Sequence, residues 1–217
     1  MTSEARMALA ISAVILAVLG LAVYITMQVL ARKMRNKMLK KTQEEAMIQI
    51  QALRNNIGEL PYELKDYLKS SSNDLDIEGI INTIYRNEYK NIVIINQKDL
   101  FPVAAIAGKV KANTYVYDKE VQYDNLEDLR LKFPNHFPNP INLYNGEEID
   151  CLVIMNAKGD INDIFDKFNK KLHKGMILVS FANPKSEVKR MISYLKMTDM
   201  PYEVSYISSK YLFIVKK

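Results

Sequence analysis

A single cysteine, Cys151, and two histidines, His136 and His173, are all that the 217-residue chain offers of the usual soft metal ligands. One thiol excludes an intramolecular disulfide, which suits a reducing compartment. Cys151 sits in the apolar run DCLVIM with no charged partner beside it that would activate it, so it reads as a buried strand thiol and not as a nucleophile. His136 lies in a Pro-rich loop and His173 near the expected end of a helix, and two separated histidines with one strand cysteine do not make a zinc-type site. Glycine is scarce, with seven residues, and neither GxGxxG nor a P-loop motif occurs, which removes the common fingerprints of dinucleotide and nucleoside triphosphate binding. Positive charge is missing from most of the chain despite a net +5: residues 59–217 carry 22 basic and 22 acidic side chains, whereas residues 1–58 carry eight Lys and Arg against three Glu. Nothing global therefore draws the larger part to a phosphate backbone, and no nucleic-acid partner is expected.

What the chain does have begins with an uncharged run from Met7 to Leu30. At about 1.5 Å per residue this helix would span roughly 36 Å, enough for a hydrocarbon core of about 30 Å. A secretory signal peptide has a basic start and a shorter apolar region. Here only Arg6, offset by Glu4, precedes the run, while Arg32, Lys33, Arg35, Lys37, Lys40 and Lys41 follow it. The positive-inside rule then predicts a single-pass protein of the cell membrane. Residues 1–6 form a short extracytoplasmic N-terminus, residues 7–30 cross the lipid bilayer, and the C-terminal part is cytoplasmic. Residues 31–58 form a basic juxtamembrane stalk. Its stretch Met34 to Ile57 lacks Pro and Gly, is rich in good helix formers, and places Met47, Ile50, Leu53 and Ile57 on one stripe. That stripe either docks on the following domain or pairs with a second chain as a homodimer; it is shorter than the three or four heptads of a coiled coil. Gly58 and Pro61 mark the boundary, so the domain is expected over 59–217, a size that buries a core of its own.

Within that domain short apolar, β-branched runs alternate with helical stretches. Two helices, roughly 59–69 and 75–87, precede strands at 91–96 (NIVIIN), 114–118 (TYVYD), 141–144, 150–155 (DCLVIM) and 176–181 (MILVSF). Helices are expected over 100–110, 125–133, 160–173 and 185–197, with Gly175 as a helix stop. Two alternating runs at 202–207 and 211–215, split by Ser208, Ser209 and Lys210, read as a closing β-hairpin. Strands alternating with helices imply right-handed crossovers and a mostly parallel sheet covered on both faces.

Two leading helices, five alternating strands and a terminal antiparallel hairpin resemble the α/β, Rossmann-like sheet of class I S-adenosylmethionine-dependent methyltransferases. The stretch EIDCLVIMNAKGDINDIFDKFNKKLHKGMILVSFAN, residues 148–183, is similar to the small-molecule O-methyltransferases of the catechol and caffeoyl-CoA type. There an Asp enters an apolar strand closed by Asp-Ala-Asp-Lys, followed by a helix, a Lys-Pro-Gly-Gly turn and another strand. Here Asp150 opens the strand, Asn156-Ala157-Lys158 closes it and Lys174-Gly175 fills the turn. The resemblance implies S-adenosylmethionine as cofactor. Its ribose would lie on Asp118, the methionine end near Asn96, Gln97 and Asp99, and the adenine near Asn145. Asn156 and Lys158 would border an unidentified methyl acceptor. A carboxylate at the ligand-binding edge of an open α/β sheet can accept two ribose hydroxyls, and it can equally cap a turn.

The departures from the family pattern are specific. Asn96-Gln97-Lys98-Asp99-Leu100-Phe101-Pro102 stands where the family has an acid and a Gly-rich turn, and no glycine follows until Gly108. Asn156 replaces a metal-binding carboxylate, and Ser180 and Phe181 offer no hard anionic ligand, so no catalytic divalent metal is expected. Only Gly146 and two Glu separate the third and fourth strands, so the helix usual between them is missing. No residue stands out as a catalytic base. Two classes of function remain open: a membrane-anchored methyltransferase, or a catalytically degenerate module of the same fold that binds or scaffolds at the membrane.

Overall fold

The computed structural model describes residues 3–96, 99–117, 123–155, 160–181, 186–206 and 208–216. The chain divides into two compact units, residues 1–44 and 45–217. Helix α1, Ser3–Ile57, is continuous through the apolar run and the stalk. In the first unit its apolar side chains lie on the outside, with Ile15, Leu16, Leu19, Val23 and Leu30 all more than half exposed. The helix is long and apolar enough to cross a membrane.

In the second unit the end of α1 is part of the core. Ile50 and Leu53 are buried, Ile57 packs beside them, and Met47 stays half exposed. Arg54 clamps this end by a forked pair of hydrogen bonds to Glu78 of α3 (Asp74–Arg86), at 2.6 and 2.9 Å. The stripe thus docks on the domain, and the compact unit begins at Glu45, ahead of the Gly58–Pro61 boundary.

Seven strands form one sheet: β1 (Asn91–Asn96), β2 (Asn113–Val116), β3 (Ile141–Leu143), β4 (Ile149–Met155), β5 (Leu172–Ser180), β6 (Tyr202–Tyr206) and β7 (Lys210–Lys216). Their order is β3-β2-β1-β4-β5-β7-β6, with only β7 antiparallel to its neighbours. One face carries Ile92, Ile94, Cys151, Val153 and Leu178 beneath α3, α4 (Leu100–Lys109), α2 (Tyr62–Leu68) and α5 (Tyr123–Lys132). The other carries Val93, Ile95, Leu152, Ile154, Ile177 and Leu212 beneath α6 (Ile161–Asn169) and α7 (Glu187–Met197). Strands buried on both faces are apolar at every position, which is why NIVIIN and CLVIM show no alternation.

Two expectations are corrected. Helix α6 ends at Asn169, and β5 starts at Leu172, so His173 and Gly175 lie in a strand. Gly175 is therefore not a helix stop. A Cβ there would sit 1.9 Å from the Asp150 carbonyl oxygen, so only glycine lets β5 come close to β4 at the register shift beside Asp150.

The missing helix between β3 and β4 is replaced by a strap, residues 144–148, that crosses over two strands. Three strand spacings are roughly 14 Å, within the extended reach of so short a segment. The strap is pinned by Tyr144, whose ring packs on Tyr115, Tyr117 and Phe168, and whose hydroxyl donates to the Glu147 carbonyl at 2.7 Å.

Candidate functional site

β1 and β4 are neighbours whose continuations part: β1 feeds α4 on one face and β4 leads to α6 on the other. This divergence opens a crevice at the carboxyl ends of the strands, where open α/β sheets bind ligands. Asn96 ends β1 there, 3% exposed, paired in register with Met155 at the end of β4. Gln97, Asp118, Asn156 and Lys158 lie outside the described residues.

Asp99 stands at the N-terminus of α4 and caps it, accepting the Phe101 N–H at 3.0 Å. Its other oxygen accepts the hydroxyls of Ser70 and Ser72, the latter at 2.5 Å. Three of roughly four acceptor directions of the carboxylate are thus taken by described residues. The sequence reading missed the two serines. The run Ser70-Ser71-Ser72-Asn73 signalled a cap for α3, and Asn73 does accept from Leu75 N at 3.0 Å, but a partner 27 or 29 residues away leaves no local pattern.

Asn145 lies on the strap, exposed, its backbone N–H donating to the Glu147 carboxylate at 2.7 Å. Beside it the edge of the sheet is aromatic: Tyr144, Tyr117 and Phe168 stack edge-on, and the Lys167 ammonium lies over the Tyr117 ring, 4.5 Å from its centroid. Burial, reinforced by Glu147, raises the pKa of the Tyr144 phenol, which is therefore protonated at physiological pH. The structure therefore brings Asn96 and Asp99 to the crevice and places Asn145 further along the same edge.

Two other sequence candidates have structural roles. Asp150 accepts the Lys90 and Asn91 amides at 2.9 and 3.0 Å and so fixes the start of β1. Cys151 is fully buried, and burial followed by the Asp150 charge raises its pKa far above the ordinary thiol range, which keeps it protonated and inert. Among the described residues no cluster of His, Cys, Asp and Glu could hold a metal ion. A cavity of about 330 Å³ adjoins the start of α4, lined by Tyr67, Leu100, Asn125, Asp128, Leu129 and Lys132.

The strand order, the antiparallel β7 and the crevice define the fold of the class I methyltransferases, and solved structures of that class share it. The chain is similar to an O-methyltransferase from Bacillus cereus in complex with SAH, at 10% identity over 82% of this chain and 91% of that one (TM-score 0.52). It is likewise similar to a methyltransferase from Geobacter sulfurreducens, at 13% identity over 67% and 80% (TM-score 0.53). An SAH-bound Podospora anserina methyltransferase matches at 13% identity over 85% and 96% (TM-score 0.50). No protein-family model and no curated protein matches the chain.

Proposed function

We propose that this protein is a membrane-anchored methyltransferase that uses S-adenosylmethionine, with residues 7–30 as the anchor and the domain on the cytoplasmic side. The observation that supports the reading is the strand order with its inserted antiparallel strand, in which β1 and β4 end side by side at Asn96 and Met155. In this reading Asn96 and Asp99 hold the methionine end, Gln97 borders it, Asp118 takes the ribose hydroxyls and Asn145 lies by the adenine. Asn156 and Lys158 flank the acceptor. The cofactor, when bound, supplies an electrophilic methyl group for in-line displacement, and the chain supplies position. The basic stalk residues add attraction to anionic headgroups.

A specific observation supports a second reading, a binding module without catalysis. Asp99 is already engaged by Ser70, Ser72 and Phe101 N, and no glycine loosens the loop before it. Calorimetric titration of the detergent-solubilised full chain with S-adenosylmethionine and S-adenosylhomocysteine, with NAD and ATP as controls, separates the two. Selective micromolar binding is expected, weakened by about 1–3 kcal/mol in Asp118→Ala. No binding by a folded chain would leave the module.

A further inference from the structure

Away from the crevice the domain has a second concavity. A groove of about 690 Å³ lies at the opposite, amino-terminal edge of the sheet, between the last turn of α4, the segment leading into β2, and Pro138 and Asn139 ahead of β3. One β-strand of six residues, roughly 20 Å, separates the two edges, so one small ligand cannot fill both. Lys90, Lys109, Lys111, Asn113 and Asn139 line the groove, and no carboxylate does among the described residues.

The walls are set by hydrogen bonds rather than by solvated side chains. Asn113 N donates to the Lys90 carbonyl at 2.7 Å, Asn113 Nδ2 to Asn91 Oδ1 at 2.9 Å, and Asn139 Nδ2 to the Val110 carbonyl at 3.4 Å. Gly108 lets the 134–136 turn close against α4: a Cβ there would stand 2.3 Å from the His136 carbonyl oxygen. Each amide nitrogen keeps a second N–H beyond its bond to the wall.

The charge of this edge departs from that of the neutral domain. Lys170, Lys171 and Lys174 lie exposed along it, beyond the groove. Two nearby acids have partners, Asp150 in the Lys90 and Asn91 amides and Glu148 in His173 at 3.2 Å, and Glu88, two residues before Lys90, is exposed. Lys109 reaches the Ile57 carbonyl at 3.2 Å, while Lys90 and Lys111 are exposed.

We propose that this groove binds a phosphate-bearing anion, held by the ammonium groups of Lys90, Lys109 and Lys111 and by the carboxamides of Asn113 and Asn139. Phosphate oxygens accept charge-assisted hydrogen bonds from such donors, and a preformed wall lowers the ordering cost of binding. The same chemistry comes from a soluble phosphate ester or from a phospholipid headgroup. The site is independent of methyl transfer, and only its headgroup form depends on the membrane anchor.

The test is amine-reactivity footprinting of the full chain in phosphatidylcholine nanodiscs, with and without inorganic pyrophosphate, and in discs containing phosphatidylglycerol. Modification of Lys90, Lys109 and Lys111 is expected to slow about tenfold, equivalent to about 1.4 kcal/mol, while exposed Lys196 on α7 is unchanged. Protection by pyrophosphate in neutral discs identifies a soluble phosphate, and protection only with phosphatidylglycerol identifies a headgroup; both support the site. Lys90→Gln with Lys111→Gln should abolish it, and the corresponding Arg pair should keep it. Absence of protection under both conditions, equal protection of Lys196, or full binding by the Gln pair would overturn the proposal. Incorporation into neutral discs reports on the anchor separately.

Discussion

Strands β4, β5, β7 and β6 run from five to nine residues and carry α6 and α7 on their second face, whereas β3, β2 and β1 run from three to six and carry there a strap and a tyrosine cluster. The first half is an ordinary apolar sandwich in which Phe165, Phe168, Val188, Met191 and Leu195 point helices at the sheet. In the other half, rings of Tyr115, Tyr117 and Tyr144 replace the apolar side of a helix. Aromatic rings bury large areas at little conformational cost, so a few of them cover a sheet face that a helix usually covers. These rings are only partly buried, so this half is expected to open first in hydrogen exchange, and it is the half that holds the end of β1 and Asp99.

The largest effect is expected in the regular half. Gly175→Ala puts a Cβ 1.9 Å from one backbone oxygen and 2.7 Å from its carbon, so β4 and β5 must separate; a loss of about 3 kcal/mol or more is expected in thermal unfolding. Gly108→Ala, against a carbonyl in the 134–136 turn, should cost less, about 1–2 kcal/mol, because a short turn shifts more easily than a paired strand. Equal losses would show that the two halves are equally rigid.

Two carboxylates tie the α3 layer to distant parts of the chain, and their partners rank next. Arg54→Ala leaves Glu78, 3% exposed, without its forked partner. Removing one member of a buried pair costs several kcal/mol, and the 35% exposure of the Arg54 side chain reduces this to about 2 kcal/mol by denaturant unfolding. Asp76, 4% exposed, accepts Ser208 N at 3.0 Å, Ser209 N at 2.9 Å and the Ser209 hydroxyl, joining α3 to the turn between β6 and β7. Asp76→Ala should cost about 1–3 kcal/mol and raise hydrogen exchange in the β6–β7 turn before the rest of the sheet. Uniform exchange would contradict the seam.

Tyr144→Ala should cost about 1–2 kcal/mol and free the strap, read as faster exchange at β3 with β5 and β7 unchanged. The smallest effect is one of pH. Burial, with the neighbouring Asp150 charge adding to it, pushes the Tyr89 phenol up to about 12 from the ordinary 10. A pKa raised on folding contributes stability that is complete below pH 10 and is lost as pH rises toward 12. Tyr89→Phe should therefore flatten the fall in thermal midpoint between pH 10 and 12. It should not abolish that fall, since burial also raises the buried Tyr211 phenol.

Legibility followed the range of the interaction. β1 and the closing hairpin were read within a residue or two, because a double-buried strand and an alternating pair each report their own neighbours. The start of β5 was not. Leu172-His173-Lys174-Gly175 has the composition of a helix exit, and only the carbonyl of Asp150 across the ladder explains why it is a strand. At the site, Asn96 and Asp99 were candidates by the family resemblance, but the serine bonds that occupy Asp99 were invisible locally.

The sequence by itself determined the long apolar helix, the basic stalk, the succession of strands and helices and the absence of a helix before β4, since each follows from runs, periods and segment lengths. Only the tertiary structure decided which carboxylates were already engaged, how β5 met β4, that tyrosines covered the β1–β3 half, and that lysines from two connections met in one groove. Those outcomes depend on crossovers and register, which bring together residues too far apart in the chain to leave a pattern in it.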